Sequence, residues 1–467
     1  MGTAPDGTRD EWLQALERWR GTASLETRPR EELRAIQSEK LRLAVAYMYE
    51  HAGLFRDRCV EAGVEPGDIR GLDDLQRLPI VSKQEMSRDL ALHPPHGRFT
   101  AVDPRGWAEA GGQLFQTSGT TARPRVFRYT HLDLEVWSWL ARRAIDAMGV
   151  RKGDSAIVCF GYGPHVSMWA LHYAFQDLRV PVIAAGGLST GARAELIARQ
   201  RPSVLCATPS YALHLAEAVR ALGADPADCG VRRLIVGGEP MPPSTQERLR
   251  RAWGAEVHQT YGCTEAAPAC CAYTCEHGEL HVMEDALILE TVDPDTLQPV
   301  GDGQPGLTVI TNLSSEASPQ LRFLAGDFAT LGRTEPCACG RTHRRLRGGI
   351  AGRADDMLIV RGLTLFPSAI ADALHSVEGI ADAFELVLTK RGELDELTIV
   401  CEPSGARGGG RSGAGEAGRG GRDDDALAAT VAATVQRACE LRATVELVAA
   451  GTLQRGEFKA RRVRDLR

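Results

Sequence analysis

The chain has 467 residues, 43% hydrophobic and 25% charged, with a formal net charge of -6 and an isoelectric point near 6.1. This globular composition has room for about three units of ~150 residues and offers no basic footprint for nucleic acid or an acidic membrane. No apolar run reaches the ~18 residues of a spanning helix, the opening MGTAPDGTRDEWLQ lacks a charged-then-apolar signal pattern, and the twelve cysteines are dispersed. A cytoplasmic protein with reduced thiols or thiolate metal ligands, acting on a small soluble substrate, is therefore expected. Of 55 basic residues only five are lysine, at 40, 83, 152, 390 and 459, which makes each a candidate for a compact ammonium that a planar guanidinium cannot mimic.

Residues 31 to about 115 read as largely helical, with apolar Leu33, Ile36, Leu41, Val45 and Met48 on an arginine- and glutamate-rich background. The run QTSGTTARPR follows, in which Thr117, Ser118, Thr120 and Thr121 surround Gly119; hydroxyls and close-approaching amides of this kind cradle phosphate oxygens. From about 155 strands and helices alternate through SAIVCFGYG, PVIAAGG, SVLCATPS, RRLIVGGEP and EVHQTYG, the pattern of a mainly parallel sheet covered by helices. Ligands of such sheets gather beyond the carboxyl ends of the strands. Here those ends carry Gly161-Tyr162-Gly163, Gly186-Gly187, Thr208, Gly237-Gly238-Glu239 and Tyr261-Gly262. Between about 279 and 335 turn-rich joints predict an antiparallel subdomain, and after Gly352 a smaller unit begins, with FPSAIADALHSV as helix and LDELTIVCEP as strand. The Gly/Arg-rich stretch 404–424 reads as a mobile excursion; its GxGxxG pattern lacks the strand and helix that would make it a nucleotide loop.

Taken in order, QTSGTTARPR, the GYG turn, CATPSYAL, GGEP, WGAEVHQTYGCTE, LHVMED, CACGRT, GRADDMLIVRGLTLFPS and GTLQRGEFKARRV resemble the phenylacetate-CoA ligase branch of the adenylate-forming superfamily, from about residue 35 onward. The resemblance implies an α/β fold: a large N-terminal domain (1–352) of βα-layered sheets with an antiparallel barrel-like subdomain, and a small mobile α+β C-terminal domain (353–467). It implies that Thr117, Ser118, Gly119, Thr120 and Thr121 hold the ATP phosphates, with Gly238, Glu239, Tyr261, Gly262 and Thr264 around the nucleotide, Tyr261 near adenine. Asp327 and Arg353 take the ribose, Asp355 is the hinge, Glu265 binds Mg2+, and Lys459 is the adenylation lysine. Phe160, Tyr162 and Gly238 border the pocket of an aromatic acid, bulkier or ring-substituted because Gly238 stands where phenylacetate ligases usually carry alanine. Three further departures are Ala122 for glycine, Arg125 where many members have lysine, and Phe458 before Lys459 where glycine is common.

These residue types suit the chemistry. A carboxylate attacking the α-phosphate builds negative charge on phosphoryl oxygens, which a metal and a positioned ammonium stabilise. Cys275, His281, Cys337 and Cys339 pair thiolates with imidazole in the proportion of a closed structural Zn2+ site, with His277 and Cys271 as rival ligands. The expected activity is transfer of an adenylated aromatic acid to coenzyme A. An amine or a carrier-protein thiol is the alternative acceptor, and a nucleotide-binding protein without turnover the third reading. The resemblance also makes a homodimer one expectation.

Overall fold

The computed structural model describes residues 7–22, 24–117, 124–265, 267–361, 363–391, 394–404, 420–453 and 462–467. The central sheet has seven strands, in the order Val182–Ala184, Ala156–Val158, Val204–Ala207, Arg233–Gly237, Glu256–Cys263, Ala267–Thr274 and Leu280–Val282. The first pair is parallel and the last two pairs antiparallel. The short wholly buried strands Ala156–Val158 and Val204–Ala207 are apolar on both faces, as helix-covered strands must be. A second sheet runs through Leu287–Val292, Pro305–Asn312, Phe323–Leu331 and Leu346–Arg353, with its first two pairs antiparallel. The period of two along Phe323–Leu331 puts Asp327 on the same buried side as Ala325 and Ala329.

By contacts the chain forms two compact units, one of residues 1–187, 203–205 and 258–348, the other of 188–202, 206–257 and 349–467. In the first, the helix His131–Ala147 starts from a capping box, and its Asp133 does more than cap. One carboxylate oxygen accepts from Thr130 N at 2.9 Å, and the group also takes Glu316 N at 2.6 Å, Ala317 N at 3.1 Å and Ser315 Oγ at 2.9 Å. Burial nevertheless pushes this carboxyl up to about 6. The helix Gly7–Arg20, which precedes the region read as helical, is pinned by fully buried Trp12, whose indole donates to Ser315 O at 2.9 Å. Lys40, one of the scarce lysines, is structural: its ammonium is buried and donates to Asp285 O at 2.6 Å, and burial lowers it to about 8. Arg143 balances the Asp285 carboxylate at 2.7 Å.

Arg322 shows what holds the second sheet to the helical layer. Its guanidinium takes both oxygens of buried Glu290 at 3.2 and 3.1 Å, Leu78 O at 2.7 Å and Gln76 Oε1 at 2.9 Å. Removing one partner of such a pair strands the other charge in the interior. Arg322→Met should therefore cost about 3–5 kcal/mol in urea unfolding, whereas a loss below about 1 kcal/mol would mean that water relieves Glu290.

In the second unit a four-stranded sheet, in the order Thr444–Leu447, Leu394–Pro403, Ile380–Arg391 and Val463–Asp465, packs with helices Pro367–His375 and Gly420–Cys439 around Ile370, Leu374, Leu386, Ile399 and Val431. The helix Pro243–Trp253 of the same unit presents Arg248, which donates to His375 O at 2.7 Å, Val377 O at 3.1 Å and Ile380 O at 3.0 Å, and pairs with Asp382 at 2.8 Å. Thr245 Oγ1 and His375 Nδ1 lie 2.8 Å apart beside it. No helix among the described residues is long and apolar enough to cross a membrane.

Candidate active site

Strands Gly112–Gln116 and Val126–Thr130 pair antiparallel with Gln116 opposite Val126, and two further bonds close the hairpin: Thr117 N to Arg125 O at 3.0 Å and Arg125 N to Thr117 Oγ1 at 3.1 Å. Thr117 is thus the base of the expected phosphate loop. Ser118, Gly119, Thr120, Thr121 and Ala122 lie outside the described residues, as do Phe458 and Lys459. Gln116 N donates to Pro164 O at 2.7 Å, which joins the hairpin to the turn after Gly161-Tyr162-Gly163. Tyr129 of the second strand donates its hydroxyl to Thr264 O, which ties the hairpin to the YGCTE run.

In that run the ladder is bulged between Tyr261 and Cys263, and bulges re-aim neighbouring side chains. The buried Tyr261 hydroxyl donates to Asp327 Oδ2 at 2.7 Å, so these two expected nucleotide residues form one group. Burial and then the Asp327 charge hold the phenol well above its usual range, and it stays protonated as a donor. Glu265 lies 2.6 Å from the guanidinium of Arg125, a pairing that nothing in the sequence announces.

The aromatic side of the site is larger than Phe160 and Tyr162. Helix Val166–Asp177 brings up Trp169, His172 and Tyr173: the Tyr162 ring meets Trp169 edge-on at 5.3 Å, and its hydroxyl lies 3.3 Å from His172 Nδ1. Gln113 of the hairpin donates to the Tyr173 hydroxyl at 2.6 Å. Burial lowers His172, which favours the neutral imidazole. Gly186 is obligatory here, because a Cβ would sit 2.1 Å from Phe160 O and 2.8 Å from the Tyr162 ring. The i, i+3, i+4 spacing of Trp169, His172 and Tyr173 just after the GYG turn is the signal that could have found this face.

These residues belong to the first unit; Gly238, Glu239, Arg353 and Asp355 belong to the second. Gly238 has φ +82°, a left-handed value that glycine adopts without strain. Glu239 accepts from Ser210 N at 3.2 Å and Ser210 Oγ at 3.0 Å, and Arg353 reaches Asp355 at 3.4 Å.

Away from the hairpin, Cys275, His281, Cys337 and Cys339 converge, with their ligand atoms all within 4.8 Å of one another. Two turns of one design bring them there. In each, a cysteine amide donates to the carbonyl four residues on (Cys275 to Glu279, Cys337 to Arg341), and a glycine at φ +79° donates back to the cysteine carbonyl (Gly278, Gly340). His281 Nδ1 lies 3.1 Å from His343 O, which assigns the proton to Nδ1 and leaves Nε2, 3.5 Å from Cys339 Sγ, as a lone-pair donor; burial lowers the imidazole to about 4 and keeps it neutral. Three sulfurs and one imidazole nitrogen without competing carboxylates fit a tetrahedral zinc ion. Neither rival belongs to the set: His277 offers its backbone amide to Cys275 Sγ at 3.4 Å, and the free thiol of Cys271 shares a hydrogen bond with the free thiol of Cys263.

Residues 82–312 match the family model of AMP-binding enzymes, and residues 362–467 match that of the AMP-binding enzyme C-terminal domain. The chain is 37% identical to a phenylacetate-coenzyme A ligase of Thermus thermophilus over 81% of its own length and 83% of that protein's. The chain belongs to the AMP-binding enzyme family. A phenylacetate-coenzyme A ligase of Pseudomonas putida is 33% identical over 81% of this chain and 83% of its own. Among solved structures, 2-hydroxyisobutyryl-CoA ligase in the postadenylation state with an acyl-AMP superposes with a TM-score of 0.85 at 30% identity, covering 94% of this AMP-binding enzyme and 91% of that chain.

Proposed function

We propose that this AMP-binding enzyme activates an aromatic carboxylic acid with ATP and passes the acyl group to coenzyme A. The observation that carries the reading is the junction at Gln116 and Pro164, where the hairpin bearing the phosphate loop is bonded to the turn that carries Tyr162. An acid lying against Tyr162 and Trp169 would direct its carboxylate toward phosphates held at Thr117. Relatives at 37% and 33% identity are phenylacetate-coenzyme A ligases, which supports both the acid class and the thiol acceptor.

In the first half-reaction a carboxylate oxygen attacks the α-phosphorus, the bond to the bridging oxygen breaks and pyrophosphate leaves. In the second, the CoA sulfur attacks the acyl carbon and AMP leaves with the bonding pair. Thr117 to Thr121 hold phosphate oxygens, and Tyr261 and Asp327 hold the nucleoside, Asp327 accepting from ribose hydroxyls. Glu265 offers the hard oxygen donor that Mg2+ takes, and the ion when bound neutralises phosphoryl charge. Lys459 adds a point charge from the C-terminal domain, 353–467, which turns about Asp355 between the half-reactions. Substrates such as ATP and CoA suit the cytoplasm.

Tyr162 and His172 present polar groups within an aromatic wall, which favours acids with a hydroxyl or amino substituent. A screen of aromatic acids by pyrophosphate release is the test. Substituted aryl or arylacetic acids should outrun aliphatic acids, and release with no aromatic acid would overturn the reading.

The Cys/His cluster would hold structural Zn2+. With four protein ligands no position is left for water, so the ion fastens the two glycine turns and takes no part in catalysis. Protein prepared without chelator should carry about one Zn2+ per chain, and chelation should lower its melting temperature. Metal analysis finding none would refute the assignment.

A further inference from the structure

The ion pair between Arg125 and Glu265 is nearly closed to solvent, the side chains 12% and 7% exposed, with Nη2 2.6 Å from Oε1. Nη1 donates to Ser87 Oγ at 3.3 Å, and Nε is buried without a hydrogen-bond partner. A carboxylate oxygen already holding a guanidinium at that distance offers a divalent cation a crowded lone pair and a repelling neighbour. The Arg125 backbone is fixed to Thr117 by bonds in both directions, so the hairpin can keep its register while the long side chain turns about its aliphatic stem.

We propose that Arg125 is a built-in counter-cation for Glu265: it holds the carboxylate in place in the ligand-free chain and gives it up to the divalent cation that arrives with ATP. The proposal rests on the reading of Glu265 as a metal ligand. The exchange keeps Glu265 charged and oriented in a buried site that would otherwise contain an unpaired anion, since one cation leaves only as another enters. Arg125 is thereby a positioning residue for the metal. The released guanidinium stays at the base of the phosphate loop, where its planar fork suits phosphoryl oxygens. Lysine at this place would hold Glu265 through one point charge; arginine holds it while also bonding Ser87.

Mn2+ alone tests this, as a hard dication that prefers oxygen ligands and is visible by electron paramagnetic resonance. It is titrated into the full chain as wild type, Arg125→Gln, Arg125→Ala, Arg125→Lys, Glu265→Gln and the Arg125→Gln/Glu265→Gln double variant. Both neutral replacements of Arg125 should bind Mn2+ about tenfold tighter than wild type, on the scale of the smallest change that a neighbouring opposite charge makes in a carboxylate's proton affinity. Arg125→Lys should stay close to wild type, and the gain should vanish in the double variant. Unchanged or weaker binding on loss of the guanidinium, or a gain that survives without Glu265, would overturn the proposal. Failure of the ligase reading looks different: wild type would release no pyrophosphate with any aromatic acid, whatever the Mn2+ titrations gave.

Discussion

Lys459→Ala should slow formation of the acyl adenylate on the order of 100-fold or more, the scale of one deleted preorganised electrostatic donor. It should leave conversion of a pre-formed acyl adenylate and CoA to thioester near the wild-type rate. The asymmetry follows from charge: only adenylation builds negative charge on the α-phosphoryl oxygens. Lys459 itself lies outside the described residues, but the chain three residues later is anchored. Arg462 O accepts from Leu386 N at 2.6 Å, and Val463–Asp465 runs parallel to Ile380–Arg391. Arg462 is a poor substitute, because its guanidinium lies over the Phe384 ring at 4.2 Å. Stopped-flow assays of the separate half-reactions would check this. Equal losses in both would make Lys459 structural, and no loss in either would transfer the role to Arg461.

Glu265→Gln should reduce adenylation by roughly 100-fold at ordinary Mg2+ concentrations, since an amide brings no charge to a hard-cation site. The variant also removes the partner of Arg125, so its melting temperature must be followed alongside. A structural loss would lower stability and both half-reactions together. A metal-site loss would appear as a raised Mg2+ requirement for pyrophosphate release, with thioester formation from pre-formed adenylate retained. Wild-type release at limiting Mg2+ would place the metal elsewhere.

Much of this was legible in the sequence, for physical reasons that differ by region. Strand and helix periods differ, so SAIVCFGYG, SVLCATPS and RRLIVGGEP announced buried strands ending in small residues. That Tyr261 and Asp327 lie together, and that Cys275, His281, Cys337 and Cys339 converge, could be expected from the sequence because nucleotide and soft-metal chemistry each restrict the residue types that suit them. What escaped depends on distance along the chain. Helix Gly7–Arg20 has only Trp12, Ala15 and Leu16 buried on a charged background, and it is fixed by a bond from Trp12 to residue 315. The pairing of Arg125 with Glu265 spans 140 positions, and the Arg248 bonds to 375–382 about as many; no local pattern encodes them. Trp169, His172 and Tyr173 were visible as letters, but their common face acquires meaning only beside Tyr162.

Mass spectrometry of the products formed from an active aromatic acid, ATP and Mg2+ with CoA, an amine or a carrier-protein thiol tests the central claim most directly. The account predicts AMP, pyrophosphate and the aryl-CoA thioester, with no comparable turnover to amide or carrier thioester. Adenylate that forms but passes only to an amine or carrier protein, or ADP in place of AMP, would contradict it.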